Sequence, residues 1–266
     1  MKYLSLGAGV NSTALLVLKA QGKIDFDLAI FADTGGEQPE TYRYLEEVIK
    51  PFCIKHKIQL DIVRKDGKNL YDDNFERKII PTRMFRSCTD KFKQRAIRKY
   101  LKQFFPDKEL IPIIGFCKGE EKRLIKAVAV AEFPLIDLGI DRDGCVKIIR
   151  DFGLPIPIKS GCYFCPFQGE KQLLKLLKEH PDLYSKAEAL EKNGSRYPEM
   201  VLSFAMSLEE LRRAYEAWQK TKPTQRETAQ ATLWYSMPKT EYCPMCEIED
   251  NSEMCFNMSD VERKQL

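Results

Sequence analysis

The sequence predicts a doubly wound parallel α/β sheet followed by a smaller helical, cysteine-bearing C-terminal region. Over the first half, short apolar runs alternate with segments of helical periodicity, as a parallel sheet covered by helices requires. The run Gly153-Leu154-Pro155-Ile156-Pro157 then breaks any helix and forces extended backbone. From Gln168 onward the periodicity is helical with no intervening strand pattern. The division that follows is 1–167, an α/β domain, and 168–266, a helical region with a Cys-rich tail.

In order, residues 2–6 read as a first strand, 12–21 as a helix, 27–32 as a second strand, 39–56 as a helix and 59–63 as a third strand. A polar, charged stretch covers 64–87. Helix is predicted at 90–104, strand at 110–115, helix at 119–131 and a last short strand at 133–138. The second region carries helical patterns at 171–179, 181–193 and 207–221, a polar linker at 222–230 and a tail from Thr240.

Hydrophobic residues make up 44% and charged residues 31% of the 266, which fits a globular chain with a core of its own. No apolar run approaches the roughly 20 residues of a spanning helix, and the opening MKYLSLGAGV lacks the pattern of an export signal, so no membrane partner and a cytoplasmic location are expected. The net charge of +4 is small beside 43 basic and 39 acidic residues, and composition alone therefore names no nucleic-acid partner. Nine cysteines in a chain expected in a reducing compartment point to metal or catalytic use rather than disulfides.

A strand, then Gly7-Ala8-Gly9-Val10-Asn11-Ser12-Thr13, then an apolar helix lets backbone N–H groups approach an anion at a helix N-terminus. The alternative is a tight turn capped by Asn11 or Ser12. After the second strand comes Asp33-Thr34-Gly35-Gly36-Glu37-Gln38-Pro39-Glu40-Thr41, an acid and glycines at the strand end where open α/β sheets bind ligands. Cys88 follows Arg86 and precedes Lys91 and Lys93 near a predicted helix start, a setting that favours thiolate. Arg123 follows the fourth strand, within reach of the same edge.

These stretches resemble the PP-loop adenine nucleotide α-hydrolase superfamily, in its phosphoadenosine phosphosulfate reductase-like branch. Gly7–Ser12 is similar to the loop S-G-G-x-D-S, with Gly7 where serine and Asn11 where aspartate is usual. Asp33 to Thr41 resembles D-T-G…P-E-T, Arg86 to Lys93 resembles R-x-C-T-x-x-x-K, Gly115 to Arg123 a G-I-x-x-x-E-x-x-R stretch, and Lys159 to Phe167 a K-S-x-C-x-x-C-P-F run. The resemblance spans about residues 3–168 and implies an adenine nucleotide site formed by Gly7, Gly9, Asn11, Ser12, Asp33, Thr34, Gly35, Arg86, Lys91, Lys93 and Arg123. ATP is the expected nucleotide, with Mg²⁺.

Cys162 and Cys165, with Cys243 and Cys246, form two C-x-x-C knuckles that suit a structural Zn²⁺. The resemblance to sulfur-transfer relatives implies instead an iron–sulfur cluster, of the 4Fe–4S kind, on Cys88, Cys162, Cys165 and a fourth cysteine. Both schemes use Cys162 and Cys165; Cys88 beside the nucleotide elements favours the cluster.

The expected function is ATP-dependent, adenylating sulfur transfer, with Cys88 and Asp33 as candidate catalytic residues, sulfide or a sulfur-donor protein as source, and tRNA, DNA or a small molecule as acceptor. Reduction of phosphoadenosine or adenosine phosphosulfate is the alternative. The resembling reductases use an E-C-G-L-H cysteine, and the nearest stretch, Glu253-Met254-Cys255-Phe256, lacks its glycine and histidine. A nucleotide- or nucleic-acid-binding module without catalysis is the third reading.

Overall fold

Strand β1 (Lys2–Leu6) lies inside a four-stranded parallel sheet of order β3-β2-β1-β4 in the computed structural model of the chain. The structure describes residues 1–83, 87–126, 130–194, 201–202 and 206–220. β2 (Leu28–Asp33) is buried along its whole length, which is why its sequence is a continuous apolar run rather than an alternating one. β3 (Leu60–Arg64) pairs with β2, Ala29 opposite Leu60, and β4 (Ile111–Ile113) pairs with β1, Lys2 opposite Ile111.

Helices cover both faces. On one, α1 (Val10–Ala20), α2 (Pro39–Tyr44), α3 (Lys50–Lys55) and α7 (Arg142–Asp151) contribute to a core with Leu4, Leu6, Ala29 and Phe31. On the other, Ala96, Ile97 and Leu101 of α5 (Arg95–Phe104) pack on Leu28, Ile30, Ala32 and Val63. The doubly wound arrangement is therefore present. α2 and α3 are joined by a π-helical turn, Leu45–Ile49, because Pro51 has no N–H to donate and its ring would collide with the carbonyl four residues back.

Four local expectations change. The 64–87 stretch contains α4 (Leu70–Glu76), capped by Asn69, whose side chain accepts from the Asp72 N–H. The run expected as a last strand is instead a short helix, α6 (Pro134–Asp137): Pro134 sits in its first turn, where a missing N–H costs nothing. Only Glu132, just before it, bridges to Ile113 of the sheet among the described residues. α7 was unannounced by periodicity, since Gly144 interrupts it; the Asp141 carboxylate caps it by accepting from the Gly144 N–H. In the 119–131 segment the described helical part is a 3₁₀ helix, Glu121–Lys126.

The helices α8 (Glu170–Glu179), α9 (Pro181–Asn193) and α10 (Leu208–Lys220) fit the expected second-region pattern. One compact unit runs from Met1 to Arg213 and so includes α8 and α9; the second, Ala214–Leu266, is described only through residue 220, where it continues α10. Tyr184 of α9 is fully buried and donates its hydroxyl to the Leu208 carbonyl at 2.7 Å. His180, at the α8–α9 corner, hydrogen-bonds Glu40 of α2 at 2.8 Å, fixing the helices to the sheet domain. Among the described residues no helix is long and apolar enough to cross a membrane.

The topology sets where ligands meet the sheet. The chain steps outward from β1 to β2 to β3, then returns to the far side of β1 as β4. The strand order thus reverses between β1 and β4, and the crevice at their C-terminal ends is the expected ligand position in an open α/β sheet.

Candidate functional site

The loop leaving β1 borders that crevice. Gly9 caps α1, and the Ser12 hydroxyl turns back to accept from the Gly7 and Gly9 N–H groups, both at 3.3 Å, while donating to the Gly9 carbonyl. Ala8 has φ 52°, the left-handed region that favours glycine. It occupies the first glycine of the S-G-G pattern, a third departure that sequence reading passed over.

Asn11 is held on three sides. Its amide donates to the Gly115 carbonyl at 2.9 Å and to Glu120 Oε2 at 3.2 Å, and its Oδ1 accepts from Arg142 at 3.1 Å. An aspartate here would press its carboxylate on a carbonyl and a second carboxylate. Glu120 thus supplies a physical reason for the asparagine. Gly115 packs closely here, since a Cβ would come within 3.3 Å of Asn11 and 3.4 Å of the Ser12 nitrogen. Glu120 also pairs with Arg123, whose guanidinium lies 4.1 Å from the centre of the Phe116 ring.

The turn after β2 is organised by Asp33. Its Oδ1 accepts from the Gly35 N–H and from the Tyr42 hydroxyl, both at 2.7 Å, and its Oδ2 from Arg64. Burial, the largest influence, pushes this carboxyl up, but the hydrogen bonds from Arg64, Tyr42 and Gly35 together hold it below its ordinary value. Gly35 has φ +71°, and a Cβ there would meet the Asn69 side chain at 2.7 Å.

Against this turn lies the 159–168 segment. Gln38 N–H donates to the Gly161 carbonyl and Tyr163 N–H to the Gly36 carbonyl, each at 3.0 Å, forming a short antiparallel bridge between Glu37 and Cys162. The same segment reaches the phosphate loop: a Cβ on Gly9 would stand 2.8 Å from Ser160 Oγ. Two residues along, the Cys162 sulfur lies 3.5 Å from the Thr34 hydroxyl. Loop, turn and cysteine segment therefore adjoin one another.

Cys162 and Cys165 form a knuckle closed by the Cys165 N–H to Cys162 carbonyl bond at 3.0 Å. Burial pushes both thiols up, with Glu37 reinforcing the effect at Cys162 and Lys93 opposing it. Cys88 lies just before a π-helical turn, Thr89–Gln94, that leads into α5, near enough to couple electrostatically with Cys165 and Lys93. Lys93 Nζ donates to the buried Glu37 at 2.9 Å, and Glu37 also accepts from Thr34. Lys159 lies on the same side. Burial lowers its pKa, and the neighbouring Arg83 and Arg142 charges lower it further. Paired soft donors under a cationic rim fit a negatively charged metal–thiolate group, zinc or iron–sulfur, whose binding would release the thiol protons.

Residues 2–133 match the family model of the phosphoadenosine phosphosulfate reductase domain. They form a domain of that family. Two uncharacterized proteins of Methanocaldococcus jannaschii are similar, one 26% identical over 66% of this chain and 38% of its own length, the other 24% identical over 83% of this chain and 52% of its own. The chain thus spans about half or less of these curated relatives. A crystal structure of phosphoadenylyl-sulfate reductase from Candida auris, in a phosphate complex, aligns at TM-score 0.40 and 15% identity over 59% of this chain and 74% of that one.

Within this reductase-family domain, Gly7, Gly9, Asn11 and Ser12 meet at the β1–β4 crevice with Arg123 at its rim, while Thr34 and Gly35 face the cysteine segment and α4. Lys93 is turned to Glu37 and the thiols, and Lys91 lies half-buried on the same turn. Arg86, Cys243 and Cys246 lie outside the described residues, as does Cys255. Of the other basic residues near Cys88, Arg95 and Arg98 pair with Asp90, and Lys99 pairs with Asp66. Sequence reading missed Glu37, Glu120, Arg142 and Lys159 as site residues. Glu37 lies inside the D-T-G…P-E-T stretch, Glu120 stands at the glutamate of G-I-x-x-x-E-x-x-R and Lys159 at the lysine of K-S-x-C-x-x-C-P-F; Arg142 falls in none of the motifs quoted above.

Proposed function

We propose that the chain is a nucleotide-dependent sulfur-transfer enzyme in which the β1–β4 crevice takes ATP and the adjoining cysteines handle sulfur. One observation carries this reading: Ser160 packs on Gly9 of the phosphate loop while Cys162, two residues on, touches the turn after β2. An acceptor oxygen would attack the α-phosphate and release pyrophosphate; sulfide would then displace AMP, leaving sulfur where oxygen stood, whereas a donor protein's persulfide would displace AMP to leave a disulfide that a second thiol must reduce to free the product.

The loop N–H groups at the start of α1, together with Arg142 and Lys159, would hold phosphate and the charge that develops on it. Asn11 would keep the loop seated on β4, and Asp33 would shape the turn toward the nucleoside rather than exchange protons, its two oxygens being engaged by Arg64, Tyr42 and Gly35. Cys162 and Cys165, with Cys88, would hold the metal centre, which supplies thiolate sulfur at neutral pH. Mg²⁺ would arrive with the nucleotide phosphates, since such ions need few protein ligands.

Sulfonucleotide reduction is the second reading, favoured by the family match at residues 2–133. The two are separated by products. With α-labelled ATP, sulfide and mixed RNA acceptors, sulfur transfer yields AMP and pyrophosphate; with adenosine phosphosulfate or its phosphorylated form and a thiol reductant, the reductase yields sulfite. Sulfite without ATP cleavage would replace the first reading by the second.

A further inference from the structure

A cavity lies off the other flank of the turn after β2, away from the β1–β4 crevice. Its volume is about 510 Å³, and its walls include Tyr42, Tyr71, Tyr163, Glu37, Asp72 and Lys186. That size suits a nucleoside-sized molecule. It is bounded by α2, α4 and α9, so it sits on the β2–β3 side, whereas strand order reverses on the β1–β4 side. The segment 160–163 links the two: Ser160 is at Gly9, Cys162 at Thr34, and Tyr163 in the cavity wall. Phosphate loop, cysteine and cavity follow one another along four residues.

The wall chemistry points to a flat ligand. The Tyr42 hydroxyl is committed to Asp33 and the Tyr71 hydroxyl to the Lys186 carbonyl, so these tyrosines offer ring surface rather than hydrogen-bonding tips. Tyr71 is braced by Phe75, Tyr163 and Phe164, with ring centres 5.7, 6.1 and 5.7 Å away, which fixes its plane before anything binds. Asp72 brings an acceptor for ring N–H or amino groups, and the exposed Lys186 brings a cation suited to a phosphate, while the Glu37 carboxylate is committed to Lys93 and Thr34. Rigid aromatic faces, a carboxylate acceptor and a cation at the rim are the features by which proteins hold an unstacked nucleobase.

We infer that this cavity binds one nucleobase-bearing unit of the acceptor, apart from the ATP in the crevice, and presents it beside Cys162. The inference deepens the sulfur-transfer reading by naming its acceptor class, and rests on that reading for its purpose.

The test is calorimetry on the full chain saturated with α,β-methylene-ATP, titrated with each of the four ribonucleoside monophosphates and with a short single-stranded RNA. At least one probe is expected to bind with the analogue in place. Tyr71→Ala should weaken it at least about tenfold, Tyr71→Phe should retain it, and neither should change analogue affinity. Leu183→Trp, which fills the cavity from α9, should also abolish probe binding, and thermal melts establish that each variant is folded. Monophosphate binding assigns the site to a free nucleotide, and binding of the RNA alone assigns it to a strand; both support the inference. Absence of binding by every probe, displacement of the analogue by every probe, or full affinity in both folded Tyr71→Ala and Leu183→Trp would overturn it. Because these are binding measurements, they can fail while ATP cleavage stands, and ATP cleavage can fail while they succeed.

Discussion

Asn11 donates to Glu120 Oε2 across the β1–β4 crevice at 3.2 Å, and the same amide holds the Gly115 carbonyl at 2.9 Å. The side chain that departs from the usual aspartate is thereby the one that fastens the phosphate loop to the exit of β4. Replacing it with aspartate puts two carboxylates together and leaves a carbonyl without its donor. Asn11→Asp should lower stability by about 1–3 kcal/mol at neutral pH. Glu120→Gln in the same chain should restore part of it, because the glutamine can donate to the new carboxylate. Urea denaturation of the two single variants and the double variant measures the coupling.

Ala8 bears the other local cost. At φ 52° an alanine crowds its own carbonyl, which glycine does not. Ala8→Gly should stabilise the fold by about 0.5–1 kcal/mol after allowing for the greater freedom of glycine in the unfolded chain. An unchanged or lower urea midpoint would show that the loop does not hold this conformation.

Asp33 should make the fold acid-sensitive. Its folded pKa lies below the ordinary 3.8, so its ionised form stabilises the protein above that value and the contribution is lost as pH falls through the folded pKa. Asp33→Asn should therefore flatten the decline in stability below about pH 4, while costing stability at pH 7. Urea midpoints from pH 6 to pH 2.5 provide the comparison.

Cys162→Ser and Cys165→Ser should each remove the metal, whichever metal it is, since both sulfurs come from one closed knuckle. In the cluster scheme Cys88→Ser also bleaches the anaerobic protein, and in the zinc scheme Cys243→Ser and Cys246→Ser lose zinc instead. Metal analysis of the five variants, purified without oxygen, distinguishes the schemes; full metal in both knuckle variants would contradict the shared centre.

The sequence was most legible where a single local rule applied. Glycine spacing after an apolar strand located the loop at Gly7–Ser12, and the uninterrupted apolar run located the central strand at Leu28–Asp33. It misled where two rules competed: Pro134-Leu135-Ile136-Asp137 is apolar enough for a strand, but its proline also suits a helix start, and the helix prevailed. Glu120 and Lys159 stand at motif positions, but the motifs do not name their partners, and Arg142 falls in none of the motifs quoted above. Each acts on a residue far along the chain or at the junction of separate segments, and no periodicity records that meeting. The resemblance of Arg86 to Lys93 places Lys93 at the nucleotide site, and in the fold its Nζ donates to Glu37.

The central claim is that the phosphate loop and the cysteine centre are one site, joined through Ser160 and Cys162. The direct measurement is the absorption and paramagnetic resonance spectrum of anaerobically purified protein, cobalt-substituted if the metal is zinc, before and after addition of ATP. ATP should shift the spectrum of the metal centre in the wild-type chain, and Gly9→Val, whose side chain would meet Ser160 Oγ, should abolish that shift while retaining the metal. A spectrum unchanged at saturating ATP would contradict a single site.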